Sequence, residues 1–234
     1  MKNLLLFSFS CLIFLFSCEK DAPIADSIAQ VSRLDSLAAG HFDGNVSYKT
    51  LDTYGDFGLG TFNGLDGEMI YLDNQFYQVR VDGLAYPVED TTKSPFANIT
   101  YFEVDQTELL DQTLDFAQLQ NYLDSLIIDH TAYYAIKITG TFTQVKTRSV
   151  HHQEEPYPTL SEVIANQVTF DFENIDGTMV GFRFPNEVEG ANVQGYHFHF
   201  LTADKRHGGH LLECTIQDAE ISIDHTTGIE ILGQ

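Results

Sequence analysis

The sequence has little positive charge, little cysteine and no tryptophan. Its 234 residues include 12 Lys and Arg against 34 Asp and Glu, which gives a formal net charge of −22. Nucleic acids and anionic membrane surfaces attract basic proteins, so this balance argues against both as partners. Cys11 and Cys18 lie in or just after an apolar N-terminal run, and Cys214 is alone. A disulfide framework within one mature chain is therefore excluded, and stability has to come from packing and from any bound metal.

Apolar and aromatic residues are plentiful in the rest of the chain. Hydrophobic residues make up 43% of the sequence, with 18 Phe and 11 Tyr. This content predicts a folded, strand-rich chain with a sizeable core, organised as one large domain or two small ones. We find no internal repeat and no low-complexity tract.

The N-terminus has the pattern of a bacterial export signal. Lys2 precedes an apolar run over residues 4–16, and Ser17 and Cys18 follow. The run is shorter than the roughly 20 apolar residues that span a membrane. Its ending, LFSC, resembles a lipoprotein box, which implies removal of residues 1–17, lipidation of Cys18 and a short tether over residues 18–26. We therefore expect an exported domain that reaches a bacterial membrane only through its lipid anchor.

The hydrophobic pattern predicts an α+β fold with more strand than helix. Apolar residues recur every three positions over 26–39 and predict a helix, with Gly40 at its C-cap. A second helix is predicted within residues 107–128. Alternating apolar and polar residues predict antiparallel strands elsewhere, with turns at dipeptides of Asp with Gly or Asn.

Two further local features are predicted in the second half of the chain. Ser161 is a candidate cap of a short helix, and Asp176-Gly177 is a candidate hairpin turn. We divide the chain into an N-terminal mixed-sheet region, residues 27–144, and a C-terminal sheet region, residues 145–234.

A cluster of histidines lies in GYHFHFLTADKRHGGH, residues 195–210. Side chains at i and i+2 of a strand share a face, so His197 and His199 lie side by side. The polar stretch over residues 202–209, which ends in Gly208-Gly209, predicts a turn that returns His210 beside the pair, on the same face as Cys214. Three neutral imidazoles with an open position form the ligand set of a catalytic zinc. The alternative is an ordinary strand with hydrogen-bonded histidines, and we expect no ligand role for His207, His151 or His152.

Four longer blocks carry a resemblance to a known family. They are GLGTFNGLDGEMIYLDNQFYQV from Gly58, SPFANITYF from Ser94, VKTRSVHHQEEPYPTL from Val145 and GYHFHFLTADKRHGGH from Gly195. In this order they resemble the acetolactate decarboxylase family, and the resemblance covers most of residues 30–225.

The resemblance implies a metal-dependent lyase, usually with zinc, that converts 2-acetolactate into acetoin and carbon dioxide. It also implies a two-part α/β fold, with a mixed sheet in the first half and a smaller sheet or half-barrel in the second, and commonly a homodimer. By motif position it assigns metal ligands (His197, His199, His210), active-site residues (Glu68, Arg148) and a residue near the substrate (Thr61).

The chemistry of two of these residues agrees with such roles. Glu68 shares a strand face with Ile70, so its carboxylate is expected to point inward, where burial raises its pKa and lets it hold a proton near neutrality. Arg148, unlike Lys146, offers a planar fork that matches a carboxylate.

Two features depart from the family pattern. Relatives usually continue past the last strand into a tail with another acidic residue that reaches the metal site, whereas this sequence ends at ILGQ. Glu230 is the only late glutamate, and we expect it in the last strand. The export signal is the second departure, since this reaction is ordinarily intracellular.

Other interpretations remain open. Three imidazoles also suit iron, copper, nickel or manganese. A non-catalytic zinc-binding or ligand-binding lipoprotein could keep the same fold, and a zinc hydrolase could use three histidines and a glutamate. The sequence has no His-Glu-x-x-His motif of a zinc hydrolase.

Overall fold

The structure, a computed structural model, describes residues 26–232. The predicted signal peptide, Cys18 and all of the predicted tether except Asp26 lie outside the described residues. Within them, no helix combines the length and the apolar character that crossing a membrane requires.

Fifteen strands and four short helices make up the described chain. The strands are β1 (Ile28–Val31), β2 (Val46–Ser47), β3 (Phe57–Thr61), β4 (Glu68–Leu72), β5 (Gln75–Val79), β6 (Ala85–Pro87), β7 (Lys93–Ser94), β8 (Phe96–Thr100), β9 (Gln106–Leu110), β10 (Leu114–Asp115), β11 (Tyr133–Ser149), β12 (Val168–Phe184), β13 (Gly195–Thr202), β14 (Gly208–Thr226) and β15 (Ile229–Leu232). The helices are α1 (Leu34–Ala38), α2 (Tyr48–Leu51), α3 (Phe116–Leu126) and α4 (Leu160–Ile164), with 3₁₀ turns at Asn63–Leu65 and Asn186–Val188. The predicted strand-rich α+β class is confirmed.

The first sheet has seven strands in the order β15-β1-β8-β3-β4-β5-β6. β1 and β15 run parallel, and the other neighbours are antiparallel. The predicted mixed sheet is therefore confirmed. Its edge strand β15 comes from the C-terminal end of the chain and carries Glu230, which pairs with Ala29.

The second sheet has six strands and is built around β11, β12 and β14, which are 17 to 19 residues long. β13 pairs with both β12 and β14, so the sheet curls on itself. β11 runs through residues 144 and 145, where the sequence was divided into two regions, and this sheet begins with β9. The second sheet therefore contains residues of both regions, and β11 by itself spans the boundary between them.

Apolar side chains of the two sheets meet in a shared core. Ile70 and Leu59 of the first sheet belong to the same buried cluster as Phe182 and Val180 of the second. A separate cluster on the other side of the second sheet lies beneath α3. Burial of such side chains, at roughly 1.5–3 kcal/mol each, holds the sheets together.

The predicted helix over 26–39 is wrong in its first half. Residues 28–31 form β1, and only Leu34–Ala38 are helical, with Gly40 at φ +93° just after the helix. All four residues of β1 are buried, because β8 and β15 flank the strand. A spacing of three apolar residues fits either structure, and the partner strand β15, about 200 residues away, decides between them.

The predicted hairpin at Asp176-Gly177 is also wrong, because β12 continues through both residues. Gly177 pairs with Gly140 of β11 and Thr202 of β13. A Cβ at Gly177 would lie 2.3 Å from Cζ of Phe200, so the glycine allows a close approach inside the sheet.

Other local predictions differ in detail. Asp73 and Asn74, at φ +53° and +57°, form the predicted two-residue turn between β4 and β5. The predicted second helix is confined to α3, since residues 106–110 form β9. The short helix α4 is present, but its N-cap is Thr159 in a capping box with Glu162, rather than Ser161.

Candidate active site

The three histidines of the motif converge at one end of the curled second sheet. His197 and His199 lie on β13, and His210 lies directly opposite His199 on β14. Their ring centroids are 4.8 to 5.2 Å apart, and one ligand nitrogen of each lies within 4.8 Å of the others. This is the only group of three or more His, Cys, Asp or Glu side chains in residues 26–232 with metal-binding spacing.

The predicted hairpin is present, but His210 and Cys214 lie on opposite faces of β14. Lys146 pairs with Glu213 whereas Thr147 pairs with Leu211, so Leu212 is the extra residue of a β-bulge. The bulge shifts the alternation by one residue. Cys214 therefore packs with Leu211 in the core beneath α3, while His210 faces the other two histidines.

The histidines are arranged to be neutral. Burial lowers the pKa of His197 to about 3 and holds the pKa of His199 and His210 well below the ordinary value, and the nearby Arg148 charge adds to this effect. Nδ1 of His199 donates a 2.7 Å hydrogen bond to the carbonyl of Met69, which leaves its Nε2 with a lone pair. A backbone carbonyl that fixes the tautomer of a histidine is typical of metal sites.

A buried ion pair lies beside the triad. Arg148, near the end of β11, pairs with His210 across the sheet, and its Nη1 is 3.2 Å from Oε1 of Glu68 on β4. Oε2 of Glu68 is 3.5 Å from Nε2 of His199. Burial raises the pKa of Glu68, although the Arg148 charge opposes the shift. Glu68 therefore brings a carboxyl group of the first sheet next to the histidines of the second sheet.

Thr61 lies opposite Glu68 in the β3–β4 pair and lines the same cavity. Its hydroxyl donates a 2.7 Å hydrogen bond to the carbonyl of Gly67. The hydroxyl therefore fixes the turn from which Glu68 projects. A direct contact between Thr61 and a substrate stays a prediction.

Apolar side chains form the rest of a cavity of about 240 Å³ that opens on the triad. We call them the apolar wall, and its members are Leu34, Leu37, Leu65, Phe96, Val150, Leu160, Ile164 and Val193. The sequence alone does not identify the wall as part of the site, because residues that line a cavity have the same hydrophobic pattern as core residues. α1, α4 and the loop between β12 and β13 bring them together.

The other histidines of the sequence motifs lie apart from the triad. His151 and His152 are exposed and follow the end of β11. His207 lies in the β13–β14 turn, and its Nδ1 is 3.2 Å from the carbonyl of Gly83. Three histidines, one carboxylate and one guanidinium therefore make up the polar side of the cavity, with the hydroxyl of Thr61.

Comparisons with known proteins show which family the chain belongs to. The profile described as alpha-acetolactate decarboxylase matches residues 28–232. The chain belongs to the alpha-acetolactate decarboxylase family. An alpha-acetolactate decarboxylase of Methanosarcina mazei is 44% identical over 203 residues, which cover 87% of this chain and 70% of the relative. One of Methylococcus capsulatus is 42% identical over 200 residues, which cover 86% and 77%.

A solved structure of a family member has the same fold. The crystal structure of alpha-acetolactate decarboxylase from Bacillus subtilis strain 168 superposes with a TM-score of 0.86 at 38% identity, covering 88% of each chain. The strand-rich α+β fold implied by the sequence resemblance is therefore confirmed, although each of its two main sheets takes strands from both halves of the chain.

The donor set of this decarboxylase family member fits a metal. Its three side chains are neutral, lie close enough to share one ion and are held by two paired strands and a backbone carbonyl. In the buried pocket, Nδ1 of His197 has no hydrogen-bond partner among the described residues, and Nε2 of His197 is 3.1 Å from Nδ1 of His210. Three converging imidazoles that lack a common protein acceptor are best satisfied by a divalent cation.

Proposed function

We propose that the protein decarboxylates 2-acetolactate to acetoin with a divalent metal, zinc by preference, held by His197, His199 and His210. Membership of the family makes the chain an acetolactate decarboxylase. The convergence of three neutral imidazoles beside a buried Glu68–Arg148 pair is the observation that carries the metal dependence and the residue roles. Three nitrogen ligands with an open position are typical of catalytic zinc.

The reaction has one difficult feature, which is the charge left when carbon dioxide departs. The electrons of the broken carbon–carbon bond move into the neighbouring ketone and give an enediolate. When bound, the metal supplies positive charge where this negative charge develops.

Arg148 orients the substrate in this proposal. The guanidinium has five N–H donors, and the ion pair with Glu68 engages one of its nitrogens. Two parallel hydrogen bonds to the substrate carboxylate would hold the breaking bond in line with the ketone π system. The fixed position of Arg148 at the end of a 17-residue strand keeps this geometry rigid.

Glu68 moves the proton. Its burial favours the protonated form, and its two oxygens face Arg148 and His199. A carboxylic acid at this place can deliver its proton to the carbon that lost carbon dioxide, which completes acetoin and sets the handedness of the product. The carboxylate that remains is stabilised by Arg148.

Metal depletion and reconstitution test the proposal. The purified domain, residues 19–234, is stripped with a chelator, and acetoin and carbon dioxide release from racemic acetolactate are measured before and after zinc is added. We expect turnover to disappear with the metal and to return with it. His210→Ala should lose both zinc and activity, whereas His207→Ala, a histidine of the same hairpin outside the triad, should keep both.

Each result has a clear meaning. Turnover that survives complete metal removal contradicts the metal-dependent mechanism. Bound zinc without acetoin formation contradicts the catalytic role and favours a metal-binding or ligand-binding protein on the same fold.

The location of the enzyme is a further part of the proposal. The sequence around Cys18 supports export and a lipid anchor, so the domain would act on acetolactate outside the cytoplasm. The anchor is tested by labelling the intact protein with a fatty acid analogue. Cys18→Ser should lose the label and should be released from the membrane fraction. Homodimer formation stays a prediction from the family resemblance.

A further inference from the structure

Three buried amide side chains link the first sheet to the loop that precedes the catalytic histidines. Gln30 on β1, Asn98 on β8 and Asn192 in the β12–β13 loop are all at most 2% exposed. The Nδ2 group of Asn192 donates to Oε1 of Gln30 at 2.9 Å and to Oδ1 of Asn98 at 2.8 Å. Asn192 is thus a loop residue anchored on two neighbouring strands of the other sheet.

The same asparagine fixes the residue that follows it. Oδ1 of Asn192 accepts a 2.8 Å hydrogen bond from the backbone N–H of Val193, a member of the apolar wall. Both polar groups of this side chain are therefore hydrogen-bonded: the NH₂ group donates to two strands, and the oxygen accepts from Val193.

The loop is also joined to α1, which supplies two other members of the wall. The backbone N–H of Leu34 donates to the carbonyl of Ala191, and that of Asp35 donates to the carbonyl of Gly190, both at 2.9 Å. Nε2 of Gln30 donates to the carbonyl of Ala191 as well, at 2.8 Å. The first turn of α1 is thus capped by the loop, and both depend on the same amide network.

We propose that Asn192 is a positioning residue that sets the substrate-facing side of the apolar wall. Through Val193 it holds one part of the wall directly, and through the loop carbonyls it holds the start of α1, with Leu34 and Leu37. The metal ligands on β13 and β14 are held by strand pairing and do not depend on this network.

The role in substrate binding rests on the proposed function. A 2-hydroxy-3-oxo acid with two methyl groups has a polar edge, which the histidines and Arg148 can bind, and an apolar edge that needs an apolar surface. The wall provides this surface in a cavity of about 240 Å³. Contacts with methyl groups that do not react are the same in the bound substrate and in the transition state, so their loss raises KM and leaves kcat nearly unchanged.

The test compares Asn192→Ala and Asn192→Asp with Gln194→Ala. Asp keeps the size and the acceptor for Val193 but loses both amide donors. The side chain of Gln194, two residues away, donates to the carbonyl of Asn186 within the same loop, so it is the matched control. We expect both Asn192 variants to raise KM for acetolactate about tenfold, which corresponds to a loss of about 1.4 kcal/mol of binding free energy. We expect kcat to change less than about threefold and zinc affinity to be unchanged, since binding alone is weakened.

Selectivity provides a second measurement. A misplaced wall should lower kcat/KM for acetolactate more than kcat/KM for the homologue with an ethyl group in place of the 2-methyl group, because the larger group fills the added space. Gln194→Ala should leave the ratio as in the wild type. Folded Asn192 variants with an unchanged KM and an unchanged ratio would overturn the proposal, even if their Tm falls, because Asn192 would then be only structural.

Hydrogen exchange separates this inference from the proposed function and requires no turnover. In the wild type, the amides of Leu34, Asp35 and Val193 should show similar protection because they open together. This measurement on the wild type also serves if the Asn192 variants do not fold. Rapid exchange of the Val193 amide, with Leu34 and Asp35 still protected, would overturn the positioning role. If the wild type makes no acetoin but the three amides are protected together, the proposed function fails and the positioning of the wall stands.

Discussion

Replacing Glu68 by Gln is the most direct test of how the site moves a proton. The side chain is 7% exposed and lies between Arg148 and His199, at 3.2 and 3.5 Å. Gln has the same shape and keeps an oxygen that can accept from Arg148, but it cannot hold a proton for the substrate. The substitution therefore removes the ionisable proton and leaves the side-chain packing unchanged.

The structure sets the expected size of each effect. Loss of a general acid is expected to lower kcat about 100-fold to 10,000-fold, or about 3–5 kcal/mol of barrier. Breaking a buried ion pair by removing one partner costs about 3–5 kcal/mol of stability. Here burial already disfavours the ionised form of Glu68, and Gln keeps an oxygen beside the Arg148 guanidinium, so we expect a loss of about 1 kcal/mol. Zinc affinity should fall by no more than about tenfold, since all three histidines remain.

The assay is acetoin formation at saturating zinc, with bound zinc and the free energy of unfolding measured on the same samples. Glu213→Gln is the matched control, because it removes the same charge at an exposed position of β14, three residues from His210. The control should keep full kcat. Full kcat in Glu68→Gln would refute the reasoning and remove Glu68 from proton delivery.

Three further predictions concern binding and stability. Arg148→Lys keeps the charge but loses the planar fork, so KM should rise about tenfold or more, whereas Lys146→Arg should leave KM unchanged in the same assay. Burial raises the pKa of Asp224 from 3.8 to about 7, so its contribution to stability is fully present below pH 3.8 and is lost as the pH rises through about 7. Asp224→Asn should therefore flatten the fall in the free energy of unfolding between about pH 4 and pH 8, and an unchanged slope would contradict the shifted pKa. Gly177→Ala should lower the free energy of unfolding by about 1–3 kcal/mol in denaturant titrations, because its Cβ would lie 2.3 Å from the ring of Phe200.

The sequence predicted the parts of the site that depend on local geometry. Two histidines at i and i+2 share a strand face, and a glycine pair after a polar stretch returns the chain. These rules placed His197, His199 and His210 together without knowledge of the fold. The contact between Glu68 and Arg148 does not follow from such rules, since the two residues lie 80 positions apart on different sheets, and only the resemblance of their motifs connected them to one site.

Features that depend on distant partners were not predictable in the same way. Residues 28–31 are a strand because β15 and β8 flank them. Gly177 is inside a strand because β11 and β13 pair on both sides of it. The bulge at Leu212 changed the face of Cys214, and nothing in the alternation of β14 marks its position. The apolar wall was missed for the related reason that residues lining a cavity and residues filling a core have the same hydrophobic pattern.

The position of the site between the two sheets explains why His199 has two partners. Its Nδ1 bonds to the carbonyl of Met69 on β4, and its Nε2 faces Glu68, which precedes Met69 on the same strand. A second bond between the sheets, from Ser149 Oγ to the carbonyl of Val79 at 2.8 Å, lies next to Arg148. The two residues that bring ionic charge to the site therefore lie within one residue of a hydrogen bond that joins the sheets. A small shift of one sheet against the other would separate Glu68 from the histidines and break the bond between His199 and Met69, whereas the three histidine side chains, which all lie on the second sheet, would stay together.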